Sequence, residues 1–223
     1  MLVWIMTALL AAAAPGPLDS ARDKQDRPAL EKLAAEAAAA ATKAPNDAEA
    51  QYRCALAYSY LAEVAIETRD RKAGRQFAEQ GIKAADKATS MKPANAEYFR
   101  VLGTLYGQAI TDIMSGLSYG PKAKDAINKA VEKAPKSSMM YVARGVGNYY
   151  LPSQLGGGSK AAIPDFQKAI ELDAKNAEAY LWLGLSLRKE NRDAHARLAF
   201  TKSLELNPNR LWTKQQLDKT PAK

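Results

Sequence analysis

Apolar residues recur along this chain at the three- and four-residue intervals of an amphipathic helix. The clearest stretch places two groups of residues on successive helical faces: Leu183, Gly184 and Leu187 on the first, and Ala196, Phe200 and Ser203 on the second. Small residues there let paired helices approach closely, and Phe200 fills the space between them. Runs of β-branched residues with period-two alternation are absent. The pattern predicts an all-α protein built from helical hairpins.

This hairpin pattern occurs four times. Copies begin at Ala48, Ala96, Ser138 and Ala177, which lie 48, 42 and 39 residues apart. Self-similarity at such spacing is typical of solenoids, in which each unit packs against its neighbours. Proline ends three of the four copies, because it lacks a backbone N–H and disfavours helix in the residue before it. The sequence therefore predicts one elongated domain rather than several.

The repeated residues resemble those of the tetratricopeptide repeat (TPR) family. The last copy carries Ala177, Tyr180, Leu183, Gly184, Leu187, Ala196, Phe200, Ser203 and Pro208. The third carries Tyr141, Gly145, Ala162, Phe166 and Ala169, and the second carries Phe99, Leu102, Gly103, Tyr106, Ala123, Ala130 and Pro135. The first has Cys54, Ala55, Tyr58, Ala88 and Pro93 at the equivalent places. The resemblance implies a right-handed superhelical solenoid of about four helical hairpins with capping helices at both ends.

We divide the chain accordingly. The segments are a signal peptide at 1–14, a linker at 15–27 and a TPR solenoid at 28–219, comprising a half-repeat at 28–45, repeats at 48–93, 96–135, 138–174 and 177–208, and a C-terminal capping helix at 209–219. Residues 1–14 are apolar and too short to span a bilayer. They predict secretion across the inner membrane into the periplasm. No Lys or Arg precedes them and Pro15 follows at once, so an uncleaved anchor and a cytoplasmic protein with an apolar N-terminus remain alternatives.

The three intervals between successive copies exceed the TPR period of about 34 residues. In the first copy, 61–68 and 72–80 stay compatible with helix, which predicts two lengthened helices. In the second and third copies, the glycine- and proline-containing stretches 115–121 and 151–158 are predicted to form loops. Stacking in register would bring these loops to the same edge, where insertions in repeat proteins can serve binding.

A second resemblance lies in the third insertion. Residues 155–162, Leu-Gly-Gly-Gly-Ser-Lys-Ala-Ala, resemble a glycine-rich stretch of the periplasmic TPR T-component of TRAP transporters, which implies a hydrophobic ligand. The alternative is that these glycines only turn the chain. A phosphate-binding loop is disfavoured, because no strand precedes it and no Gly-Lys-Ser/Thr sequence ends it.

The TPR resemblance also implies a binding groove lined by the first helix of each hairpin. Candidate groove residues are Tyr52, Leu56, Arg100, Thr104, Met139, Val142, Val146, Tyr149, Leu181, Leu185 and Arg188. An apolar groove flanked by Arg100 and Arg188 would suit an amphipathic helix, an apolar peptide or an acyl ligand with an anionic head. The Lys and Asn positions of TPR proteins that bind a C-terminal carboxylate have no counterpart. The alternative is that a terminal helix or the loops cover this surface.

Composition and charge narrow the function further. The chain has 223 residues, of which 47% are hydrophobic, and a formal net charge of +8. Lysines of the second helices alternate with acidic residues, as on a solvated outer face, so nucleic acid is not a predicted partner. Weak peripheral association with an anionic membrane stays compatible with the excess charge.

Few residues are candidates for catalysis or metal binding. The single histidine, His195, and the single cysteine, Cys54, have no accompanying nucleophile or metal-ligand motif, and they are interpreted as a surface residue and a small core residue. No catalytic residue, cofactor site or metal site is predicted. The sequence thus favours a non-catalytic TPR scaffold that binds a protein or peptide in the cell envelope. The alternative is a periplasmic carrier or transport-accessory protein that binds a small hydrophobic or anionic ligand.

Overall fold

The computed structural model describes residues 16–222 and confirms an all-α TPR-like solenoid. Within that range there are eleven α-helices, one 3-10 turn at Ser153–Leu155 and no β-strand. The helices are α1 (Pro17–Asp23), α2 (Arg27–Lys43), α3 (Ala48–Glu67), α4 (Arg71–Met91), α5 (Ala96–Gln108), α6 (Ile113–Lys133), α7 (Ser138–Tyr150), α8 (Ser159–Leu172), α9 (Ala177–Lys189), α10 (Asp193–Leu206) and α11 (Leu211–Asp218). The predicted signal peptide at 1–14 lies outside the described residues. None of the described helices is long and apolar enough to cross a membrane.

The helices form four hairpins: α3–α4, α5–α6, α7–α8 and α9–α10. Each second helix also packs against the next first helix, and each first helix contacts the following first helix. Successive second helices make no comparable contact within residues 16–222. The first helices α3, α5, α7 and α9 therefore form the inner wall of a curved stack, and the second helices form its outer wall.

Local sequence explains where the helices begin and end. Six helices start with an Asp or Asn side chain that accepts a hydrogen bond from a backbone N–H of the first turn; these residues are Asp26, Asp47, Asp70, Asn95, Asp112 and Asn176. Prolines stand two residues after the last residue of α2, α4, α6 and α10; they are Pro45, Pro93, Pro135 and Pro208. The predicted role of proline in ending the hairpins is confirmed.

The interior of each hairpin joins a small residue to a large one, as predicted. A Cβ atom placed on Gly184 would lie 2.6 Å from a ring carbon of Phe200, and one on Gly145 would lie 2.5 Å from a ring carbon of Phe166. Both rings are fully buried. Glycine is therefore required at these two positions for the helices to approach so closely.

The predictions for the three insertions differ in their agreement with the structure. The first lengthens both helices of its hairpin, to 20 residues in α3 and 21 in α4, as expected. The third is a loop with positive φ at Gly156 and Gly158, as expected. The second prediction is wrong, because residues 115–121 are helical and form part of α6. A capping box between Asp112 and Ser115 starts this helix early, and α6 continues through Pro121.

Two further differences concern the ends of the stack. The predicted linker 15–27 contains the short helix α1, which buries Ala21 and Asp23 against the following helices. The capping helix α11 exposes Lys214 and Asp218 and buries Thr213 and Gln216. The ends also meet: Asn207 donates to Asp23 over 2.7 Å, and Gln215 donates to Gln25 over 3.0 Å.

Candidate binding groove

Eight of the eleven predicted groove residues are at least partly exposed, and seven of them lie on the first three hairpins. These seven come from α3, α5 and α7 and are Tyr52, Leu56, Arg100, Thr104, Met139, Val146 and Tyr149. Of these, Met139 is the most exposed. Most of the accessible part of the groove is therefore the wall formed by the first three hairpins.

Three of the other predicted groove residues are buried, and the fourth, Arg188, is partly exposed but hydrogen-bonded to α11. Val142 is buried among α7, α8 and α9. Leu181 and Leu185 lie in a core cluster against which Trp212 and Leu217 of α11 pack. The guanidinium of Arg188 donates to the carbonyl oxygen of Gln216 over 3.1 Å and to its side-chain oxygen over 2.7 Å. The prediction is wrong at Val142, Leu181 and Leu185, because neighbouring helices bury them, whereas at Arg188 it stays a prediction.

The middle of the inner wall is polar rather than apolar. Arg100 donates two hydrogen bonds to Glu97, at 2.5 and 2.7 Å, and the hydroxyl of Tyr52 donates to the same carboxylate over 3.1 Å. Tyr52 also stacks on Tyr98, with 4.9 Å between ring centroids. Although burial opposes it, Glu97 raises the pKa of Arg100. An anionic ligand would have to displace Glu97 to reach Arg100.

An aromatic cluster lies further along the wall. The ring of Tyr150 packs edge-on against Tyr149 at 5.1 Å and against Trp182 at 5.9 Å, and Trp182 in turn meets Trp212 at 5.4 Å. Tyr150 nevertheless keeps 60% of its surface exposed. Burial of the hydroxyl, with Tyr149 and Glu67 nearby, raises its pKa to about 12. Tyr150 therefore belongs to an aromatic cluster that links α7, α9 and α11.

A buried charge cluster closes the stack at its ends. We define it as Arg22, Asp23, Glu63, Glu67, Glu178 and Arg210. Arg210, only 1% exposed, lies 2.6 Å from Glu63 and 3.2 Å from Glu178, and it also pairs with Glu67. Arg22 lies 3.2 Å from Glu178 and 2.7 Å from Asp23. The cluster thus joins α1, α3, α9 and the segment before α11.

Four carboxylates face two guanidinium groups in this cluster, and their pKa values reflect that imbalance. Burial raises the pKa of Glu67 to about 7; Arg210 opposes this shift and Glu63 adds to it. Burial also acts on Glu178, but Arg210 and Arg22 outweigh it and lower the pKa of that carboxyl. Glu67 therefore takes up a proton close to neutral pH, whereas Glu178 stays ionised there.

Sequence reasoning missed Glu63 and Glu67, which belong to the charge cluster, and Tyr150, which belongs to the aromatic cluster. The groove positions of the TPR pattern stop at the twelfth residue of the first helix, whereas α3 continues for eight residues beyond Ser59. The predicted lengthening of α3 was the signal that could have found Glu63 and Glu67. Tyr150 follows the last template position by one residue, at the end of α7.

A family model described as regulator of microtubule dynamics protein 1-3 matches residues 18–152, which is more than half of the chain. The chain belongs to this family. The match to the regulator of microtubule dynamics family runs from α1 to the loop after α7, so it includes Glu63, Glu67 and Arg100 but not Glu178 or Arg210. No curated protein matches the sequence.

Solved structures agree on the fold of this family member. TTC0263, a thermophilic TPR protein of Thermus thermophilus, superposes with a TM-score of 0.66 at 18% identity and covers 91% of this chain and 96% of its own. The HusA haemophore from Porphyromonas gingivalis gives a TM-score of 0.59 at 17% identity, with 80% of this chain and 96% of its own covered. At such low identity these likenesses establish the fold alone.

The two other residues considered in the sequence analysis are the single cysteine and the single histidine. Cys54 is buried in the core of the first hairpin, where burial raises the pKa of its thiol, and His195 is exposed on α10. Within residues 16–222, no three His, Cys, Asp or Glu side chains are grouped so as to hold a metal ion. That this family member is not an enzyme stays a prediction.

Proposed function

We propose that this protein is a non-catalytic scaffold that binds a protein segment on the inner wall formed by α5 and α7. The observation that carries the proposal is Tyr150 at the end of the first helix α7, a residue that remains 60% exposed although its ring packs against Tyr149 and Trp182. A large aromatic side chain held by aromatic neighbours but open to solvent is typical of a binding surface rather than of a core.

The chemistry of the wall favours a peptide with apolar side chains. Tyr150 and the exposed Met139 offer apolar contact area, while Glu97 and Arg100 already satisfy each other. An acyl ligand with an anionic head would find no free cation at Arg100. A carrier of a small hydrophobic ligand is therefore the second candidate, favoured only by the aromatic cluster itself.

Site-specific photocrosslinking tests the proposal. A photoreactive phenylalanine analogue is placed at Tyr150, and in a matched protein at Leu198, which is comparably exposed but lies on the outer face of α10. After irradiation in the native envelope fraction, we expect a polypeptide adduct from position 150 and none from position 198. Met139→Glu should weaken the adduct, because it places a charge on the apolar part of the wall.

Two results would count against the scaffold. Equal adducts from both positions would mean that the inner wall has no preference for a partner. A bound molecule of lipid-like mass in native mass spectrometry, lost on Tyr150→Glu, would support the carrier instead.

Location in the cell envelope is part of the same proposal. It is supported by the apolar, uncharged residues 1–14, which have the composition of a secretory signal. Fractionation of cells that express the full chain tests it, and recovery of the protein in the cytoplasmic fraction alone would refute it.

A further inference from the structure

The beginning of α6 exposes large aliphatic side chains to solvent. Ile113, Met114 and Leu117 are 83%, 75% and 70% exposed, and Ile110 just before the helix is also exposed. Scattered single apolar residues are normal on a protein surface, whereas a contiguous group marks an interaction site. We define the apolar edge as these four residues together with Leu155 of the α7–α8 loop.

The geometry of α6 fixes the direction of this group. Ile113 and Leu117 are four residues apart and Met114 and Leu117 three apart, so they share one side of the helix. Tyr119 lies on a different side, where it stacks on Tyr106 at 5.9 Å and donates to Glu79 of α4. The apolar side chains therefore point away from α4, and they protrude rather than line a groove.

The α7–α8 loop adds its apolar side chain at the same end of the stack. Leu155 in this loop is 70% exposed. Because α5 and α7 pack side by side, the connections that follow them lie at the same edge of the solenoid. The apolar edge thus extends across two successive hairpins and is separate from the inner wall.

The charged side chains of the two segments that form the apolar edge are all positive. Residues 113–124 and 137–164 contain no Asp or Glu, whereas Lys122, Lys124 and Lys160 lie within them and are exposed. The carboxylate that begins α6, Asp112, accepts from the backbone of Ser115 over 2.8 Å and lies 3.3 Å from Arg75. Asp112 shares Arg75 with Glu79, and Glu190 accepts from Ser159, so carboxylates border the apolar edge, while the two segments that carry its apolar side chains contain lysines and no Asp or Glu.

We propose that the apolar edge inserts into the interfacial region of an anionic lipid bilayer. Protruding aliphatic side chains bordered by lysines combine the two contributions that hold a peripheral protein on such a surface, which are burial of apolar area and attraction to anionic headgroups. A protein partner would need a pocket that receives several separate protrusions. The inference is independent of the proposed inner-wall function, because it uses none of the same residues.

Vesicle flotation with the full chain tests this inference. The vesicles are phosphatidylcholine alone and phosphatidylcholine mixed with phosphatidylglycerol. The variant combines Ile113→Gln, Met114→Gln and Leu117→Gln, which keep side-chain length and helix propensity. The control is Leu198→Gln, an isolated exposed leucine on the outer face of α10. All proteins retain residues 1–14, so any contribution of that segment is the same in each.

We expect the wild type and the Leu198 control to partition onto the mixed vesicles, and the triple variant to partition at least about 30-fold more weakly. Lys124→Gln with Lys160→Gln should lower partitioning by roughly fivefold for each lysine and remove most of the preference for the anionic lipid. Circular dichroism and the melting temperature should match the wild type, because the substituted side chains are exposed.

Three outcomes would overturn the inference. One is equal partitioning of the triple variant and the wild type, and another is wild-type partitioning that does not depend on the anionic lipid. The third is a wild type that does not bind vesicles but forms a dimer in analytical ultracentrifugation that the triple variant loses. That result would assign the apolar edge to a second copy of the chain.

Discussion

At the scale of single residues, Gly145 provides a sharp test of the packing between α7 and α8. A methyl group there would lie 2.5 Å from the ring of the buried Phe166, so the helices must separate or the ring must leave its preferred position. We expect Gly145→Ala to lower the free energy of unfolding by about 1 to 3 kcal/mol, measured by chemical denaturation.

Gly147, two residues further along α7, supplies the control. Nothing lies within 4 Å of a Cβ atom placed there, and the residue is exposed. Gly147→Ala should raise the free energy of unfolding by roughly 0.5 to 1 kcal/mol, because alanine restricts the unfolded chain and favours helix. Changes of the same sign in both variants would contradict the packing argument.

Residues of the hairpin interiors could be predicted from sequence, whereas part of the inner wall could not. In the last two hairpins a glycine of the first helix meets a phenylalanine of the second, and the repeat spacing identified Gly184 and Phe200 correctly. Exposure on the inner wall depends on what covers it. Leu181 and Leu185 match groove positions, but α11 buries them, and the spacing of the repeats contains no information about that contact.

At the scale of helices, the residues that begin α7 and α9 should contribute differently to the free energy of unfolding. Asn176 begins α9, accepts from the backbone N–H of Ala179 over 3.2 Å and donates to Ser138 over 2.8 Å. Ser137 occupies the equivalent place before α7 but makes no capping hydrogen bond through its side chain. Asn176→Ala should therefore lower the free energy of unfolding by about 1 to 2 kcal/mol.

Ser137→Ala is the matched control, and we expect a change within about 0.5 kcal/mol in the same denaturation experiment. An equal loss in both variants would mean that residue type at the cap, rather than the observed hydrogen bonds, determines stability. The comparison separates the two explanations because each helix is 13 residues long and follows a similar turn.

The α6 helix shows why one insertion was misinterpreted. Gly116, Gly120 and Pro121 favour a loop when judged by local propensity alone. In the structure, Asp112 and Ser115 cap each other, and Tyr119 packs between Tyr106 and Glu79, so the segment gains contacts only as a helix. Tertiary contacts outweigh local propensity in this segment, and they are not visible in the pattern of a single hairpin.

At the scale of the whole molecule, the contact between the two ends could not be predicted. Arg210 pairs with Glu63 and Glu67 across 147 and 143 residues of sequence, and Asn207 reaches Asp23 across 184. These residues lie outside the positions that the TPR pattern repeats. Only the curvature of the complete stack brings them together.

The charge cluster predicts a pH dependence of stability. The pKa of Glu67 is raised to about 7 in the folded protein, whereas a glutamate in the unfolded chain titrates near about 4.3. Between these values the folded state binds the additional proton, so the stability that Glu67 contributes is full at low pH and is lost as the pH rises through 7. From about pH 5 to about pH 8, the wild type should lose roughly 2 kcal/mol relative to Glu67→Gln.

Glu67→Gln is informative because the amide has the shape of the carboxyl but does not titrate. Other groups, including Glu178, titrate in both proteins and cancel in the difference between their denaturation curves. A difference that is constant with pH would mean that Glu67 is ionised throughout the range, and a difference of opposite slope would mean that Arg210 lowers its pKa below the usual value.

Closure of the stack rests on Arg210, and its removal should affect both stability and shape. Arg210→Met keeps the length of the side chain but leaves Asp23, Glu67 and Glu178 buried without their shared cation, at a cost of about 3 to 5 kcal/mol. Mutual repulsion of these carboxylates would separate α1 and α3 from the C-terminal segment, so the radius of gyration in small-angle X-ray scattering should increase.

Arg53→Met is the control, because the exposed pair of Arg53 with Glu49 is worth less than about 1 kcal/mol. If Arg210→Met lowers stability without any increase in radius, the cluster stabilises the ends locally, and the curvature of the stack is determined by the packing of its hairpins alone.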